Sequence, residues 1–180
     1  MKNAIIFHGT GSTGKYFWFP YLKEKLEKKG FEVWLPDLPN KDNPNINELV
    51  PFVLKNGKFN SETVLIGHSS GAQLILNILE KIDIKIEQAI LVSGYAESLA
   101  ESANSNIKPD LDWNKIKENV ENIIFINSDN DPWGWDDKQG RAMFNKLGGI
   151  QIIMHNEGHM GSVSYNQPYK EFPLLVDLIH

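Results

Sequence analysis

Apolar runs of strand length recur along the chain at Ala4 to Phe7, Glu32 to Leu35, Thr63 to Ile66, Ala89 to Val92, Ile123 to Ile126 and Ile150 to Met154. Several are apolar at consecutive positions. A strand with one solvated face alternates polar and apolar residues, so continuous runs indicate strands covered on both faces, as in a parallel sheet. Parallel strands need long crossovers, and helices usually supply them.

The stretches between the runs have that character. Phe17 to Lys29 carries Phe17, Tyr21, Leu22 and Leu26 among lysines and glutamates and stops at Gly30, as an amphipathic helix does. Asn47 to Leu54 is a weaker helical pattern. Ala72 to Ile82 is apolar around most of its circumference, which places that helix inside. Asp137 to Leu147 and Pro173 to Ile179 complete the set. Strand and helix therefore alternate, predicting an α/β chain in three α/β/α layers, with about six mostly parallel strands and helices on both faces. At 180 residues, one domain spanning 1–180 is expected. The long connection Gly94 to Glu121, with Pro109, Trp113 and a short helix at its end, breaks this rhythm of strand and helix, and connections of such length are often functional lids.

Charge and composition exclude several classes. The net charge is -5, and lysines are interleaved with acids, so no basic stripe awaits a phosphate backbone and no nucleic-acid partner is expected. No run approaches the length of a membrane span, and Met1 to His8 reads as a first strand and not a leader, so no membrane association and a cytoplasmic location are expected. The absence of cysteine removes disulfides, thiolate zinc sites and a thiol nucleophile. No histidine and acid spacing matches a metal site, so neither metal nor other cofactor is expected.

Chemistry enters at Gly67-His68-Ser69-Ser70-Gly71, a G-x-S-x-G pattern. Composition alone yields about 0.07 such matches in a chain of this length. Its place between a strand and a buried helix is the stronger signal: in a sharp strand-to-helix turn the flanking glycines avoid collisions and the serine stands above the sheet. Ser69 is the candidate nucleophile. The Ser70 N–H, at the start of the helix, is one candidate oxyanion donor, and the Thr10 N–H in His8-Gly9-Thr10-Gly11 after the first strand is the second. That first turn, continuing Ser12-Thr13-Gly14-Lys15, lacks the hydroxyl residue after lysine that a phosphate loop requires, because Tyr16 follows.

A hydroxyl nucleophile needs a base, and the order serine, acid, histidine asks for both partners later in the chain. Ser128-Asp129-Asn130-Asp131-Pro132 follows the fifth run. Asp131 is preferred as the orienting acid, with Asp129 as the alternative, while Asp136 and Asp137 suit a helix N-terminus. Asn156-Glu157-Gly158-His159-Met160-Gly161 follows the last run, making His159 the candidate general base. His8, His68, His155 and His180 read as structural. Trp18, Trp133 and Met160, with Trp113 and Trp135, are expected around an aromatic, shallow cleft that binds substrate.

These pieces together resemble the small single-domain serine hydrolases of the retinoblastoma-binding protein 9 and YdeN type, within the α/β-hydrolase superfamily. The resemblance spans nearly the whole chain and rests on His8-Gly9-Thr10 with Trp18 and Pro20, Gly67 to Ala72, Ser128 to Pro132, Gly158-His159 and Glu171 to Leu175. It implies a minimal, nearly lidless α/β-hydrolase fold. The chain departs from that pattern at Met160, where phenylalanine is common, and in a lengthened loop from Met160 to Tyr169. The expected activity is hydrolysis of small carboxylic esters, or of amides or thioesters, through an acyl-enzyme on Ser69. The alternative is a protein-binding module on the same scaffold, as the resemblance allows.

Overall fold

The computed structural model describes residues 1–96 and 111–179. Six strands, β1 (Asn3–Phe7), β2 (Glu32–Trp34), β3 (Thr63–His68), β4 (Ile86–Val92), β5 (Val120–Ser128) and β6 (Ile150–Met154), form a single sheet in the order β2-β1-β3-β4-β5-β6. Every neighbouring pair is parallel. The helices are α1 (Phe19–Lys28), α2 (Ile46–Asn56), α3 (Ser70–Leu79), α4 (Trp113–Glu118), α5 (Asp137–Leu147) and α6 (Pro173–Leu178).

The order explains the layers. The chain first steps from β1 outward to β2 and then reverses, passing β1 to β3 and onward to β6. Right-handed crossovers in opposite directions along a sheet must lie on opposite faces. Accordingly Phe19, Leu22 and Leu26 of α1 share one core cluster with Ala4, Ile6, Ile66 and Ile126, joined by Leu175 of α6. The other face packs Leu49, Leu74, Ile116 and Met143, from α2 to α5, against Ile5, Phe7, Leu65 and Phe125. Residues 4 to 7 thus alternate between two dry faces, which is why the sequence there is apolar without a break.

Local sequence sets the ends. Pro20 sits in the first turn of α1, where its missing N–H costs nothing, and Asp136 caps α5 by accepting from Lys138 N at 3.0 Å. All of α3 is buried, as its composition predicts, but it begins at Ser70 and not near Ala72, and β3 runs on through His68. Only Ser69 lies between strand and helix. Of the long connection after β4, residues 97–110 lie outside the described residues; its end is α4, capped by Asp112. Among the described residues no helix is long and apolar enough to cross a membrane.

Candidate active site

Parallel strands deliver their C-terminal loops to one edge of the sheet, and there the candidate residues meet. Ser69 has φ 56° and ψ -121°, a left-handed conformation that costs a non-glycine residue on the order of 1–3 kcal/mol. Close packing enforces it. A Cβ on Gly67 would lie 2.5 Å from the Gly71 carbonyl oxygen, and one on Gly71 would lie 2.4 Å from that of Phe7. A Cβ on Gly9 would come within 2.9 Å of the Ser69 Cβ, so the turn after β1 lies directly against the serine. The Thr10 hydroxyl donates to the Ser70 hydroxyl at 2.9 Å, tying that turn to the start of α3. As the first residue of α3, Ser70 has an N–H with no intrahelical acceptor.

The loop after β5 brings Asp131 to His159: Oδ2 lies 2.7 Å from Nδ1, with both side chains buried. The other carboxylate oxygen accepts from Trp133 N at 2.8 Å. In the tautomer that donates from Nδ1 to this carboxyl group, Nε2 is bare. Asp129 points elsewhere. Its Oδ2 lies 2.6 Å from His155 Nδ1 and its Oδ1 accepts from Asn156 N at 2.9 Å. The backbone N–H of Asn156, then the bond to His155, hold its carboxyl below the usual carboxylate range.

The peptide of His159 is held on both sides. Its N–H donates to Gln167 Oε1 at 2.9 Å. Its carbonyl accepts from the Ser93 hydroxyl at 3.1 Å and lies 2.8 Å from His68 Nε2. Burial, then the neighbouring His159, push the His68 pKa down to about 3, so this ring is neutral and donates from Nε2. Its Nδ1 is buried without a partner, as the bare nitrogen of that tautomer. Gln167 is itself fixed by paired backbone bonds with Ser162 at 2.8 and 3.0 Å. The lengthened loop after Met160 thus returns to grip the histidine it follows. Long-range grips of this kind, to Ser93, His68 and Gln167, leave no mark in sequence spacing.

Ser69, His159 and Thr10 line one cleft of about 350 Å³, walled by Phe17, Tyr95, Trp133 and Trp135. Tyr95 stacks on Trp135 at 3.8 Å between centroids, and Trp133 stands at the rim, 47% exposed, with its ring edge toward His159. Two expected lining residues are corrected. Trp18 and Met160 are both 0% exposed. Trp18 donates from Nε1 to the Met160 carbonyl at 3.0 Å and packs on Phe19 and Phe172, so the pair supports the His159 loop from the core side. Trp113 packs against the core of the other face. Phe17 takes the place foreseen for Trp18: the helix begins at Phe19, two residues later than its apolar pattern, and Phe17 adopts φ 51° before it. His8 is structural as expected, its Nε2 accepting from Leu38 N at 2.9 Å.

The sequence profile of the family described as serine hydrolase matches residues 4–178. The chain is 26% identical to YdeN of Bacillus subtilis over 185 residues, covering 99% of this chain and 94% of YdeN. It is also 26% identical to the serine hydrolase RBBP9 of Rattus norvegicus, covering 89% of this chain and 87% of that protein. The crystal structure of YdeN superposes with a TM-score of 0.88 at 23% identity, covering 99% and 96% of the two chains. The methylesterase MES16 from Arabidopsis superposes at 0.66 with 14% identity, covering 99% of each. An α/β-hydrolase sheet, a strained serine at its edge and a profile match over almost the whole length lead to one conclusion: the chain belongs to the serine hydrolase family.

Proposed function

We propose that this hydrolase, a single α/β-hydrolase domain over 1–180, cleaves carboxylic esters of short acyl groups by acyl transfer through Ser69. In this reading Ser69 Oγ attacks the ester carbon while His159 Nε2 takes its proton. The Ser70 and Thr10 N–H groups stabilise the oxyanion, and the alcohol leaves with the proton from His159. Water, deprotonated by the same nitrogen, then releases the acid and restores Ser69. Asp131 keeps the imidazole in the required tautomer.

The observation that supports this reading most is the buried 2.7 Å contact between Asp131 and His159, because it leaves a bare Nε2 on a ring lining the same cleft as Ser69. Esterases among proteins of similar fold, such as MES16, support the ester class. The test is hydrolysis of p-nitrophenyl acetate by wild type and Ser69→Ala, with circular dichroism to check folding. Loss of at least 10³-fold in kcat in a folded Ser69→Ala protein is expected, on the scale of triad deletions. Equal rates would refute the assignment.

A further inference from the structure

Beside the catalytic cleft lies a second hollow of about 520 Å³. Phe17, Ser162 and Val163 line both, so the two are neighbours across a shared wall. Its remaining lining divides by chemistry. Tyr16, Pro20, Tyr21 and Pro168 provide flat apolar surface, Asn166 and Gln167 add amides, and Lys15 and Lys170 are its only charged residues among the described ones. A cationic hollow with no lining carboxylate among the described residues stands out on a chain of net charge -5. Neither lysine has an ion-pair partner among the described residues.

Four of the nine large apolar side chains exposed among the described residues gather at the same place. Tyr16, Val163, Tyr165 and Trp133 are 47%, 68%, 47% and 47% exposed, and all but Tyr165 line one hollow or the other. Tyr165 joins them through an edge contact with Trp133 at 5.2 Å. Apolar surface left in water around a cleft marks where something binds. The catalytic cleft, at about 350 Å³, is the smaller of the two hollows.

We propose that the second hollow is the subsite for the alcohol half of the substrate, and that this half is an aromatic ring bearing a carboxylate. The inference rests on the ester-hydrolase reading above. The ring lies along Tyr16, Tyr21 and the prolines, and its carboxylate lies between Lys15 and Lys170. When the acyl–oxygen bond breaks, the acyl group passes to Ser69 Oγ, and the departing aryl oxygen takes the proton held by His159.

The test compares the acetyl ester of 6-hydroxy-2-naphthoate with the acetyl ester of its methyl carboxylate, which has the same ring but no charge. At low ionic strength the charged ester is expected to have about fivefold higher kcat/KM, falling to parity near 1 M salt. Lys15→Ala combined with Lys170→Ala brings the ratio to about one, whereas Lys55→Ala, on α2 and lining neither hollow, keeps it. Fluorophosphonate labelling of Ser69 is run in parallel. A wild-type protein that labels at Ser69 yet treats the two esters alike, or a double variant that keeps the preference, overturns the subsite alone. Absence of labelling overturns the hydrolase reading and the subsite with it.

Discussion

At the scale of single residues, the orienting acid is the sharpest commitment. Asp131 touches His159 while Asp129 touches His155, so the two aspartates separate cleanly in their partners. Asp131→Asn should lower kcat on the order of 10³ to 10⁴-fold by favouring the wrong tautomer, with the protein still folded. Asp129→Asn should stay within about threefold of wild type; a larger loss there than at Asp131 would reverse the assignment. Both aspartates were visible in the sequence as turn residues after a strand, and so was the preference for Asp131. What the sequence does not contain is the direction a side chain faces. Trp18 and Met160 flank the site in order along the chain, yet both point into the core, while Phe17, one residue away from Trp18, lines the cleft. Order and spacing locate a loop; packing decides which of its side chains reach the substrate.

At the scale of elements, the central strands were legible because burial on both faces leaves unbroken apolar runs, as in β1 and β3, while β6, at the sheet edge with Ile150 and Ile153 exposed, still matches its expected bounds at Ile150 and Met154. Boundaries slipped where polar residues are buried. β3 continues through Gly67 and His68, and α3 starts at Ser70, because the elbow is a junction of two elements with one residue between them. That compactness gives a direct expectation. Gly71→Ala would put a methyl 2.4 Å from the Phe7 carbonyl oxygen, a backbone atom that cannot swing away. It should destabilise the fold by roughly 2–4 kcal/mol and abolish activity, read from urea unfolding and p-nitrophenyl acetate hydrolysis. Gly11→Ala, with open space around its Cβ and φ of +70°, should cost about 1 kcal/mol. Equal effects of the two substitutions would mean that β1 and the elbow are not in close contact.

At the scale of the whole molecule, the protonation of His68 couples the site to stability. A group that titrates at about 3 when folded and at 6.5 in the unfolded chain binds its proton preferentially in the unfolded state between those values. Stability is therefore full above pH 6.5 and falls as the pH drops from there toward 3, on the order of 1 kcal/mol per pH unit. His8, also lowered by burial, acts in the same direction. Urea midpoints between pH 6.5 and 5 should show this slope, and His68→Gln, which keeps an N–H for the His159 carbonyl, should reduce it; an unchanged slope would mean that His68 is not the proton acceptor. The small cleft of about 350 Å³ sets a second global expectation. Each enclosed methylene is worth only about 0.8 kcal/mol, so kcat/KM should rise with acyl length to roughly C6 and then level off. A steady rise to C12 would require a deep tunnel. The central claim is that Ser69 is an activated nucleophile, and the most direct measurement is the intact mass and peptide map of the protein after treatment with a fluorophosphonate. One adduct per chain, on Ser69 and absent from Ser69→Ala, is the predicted result; an unmodified wild-type protein, or labelling that persists in Ser69→Ala, would contradict it.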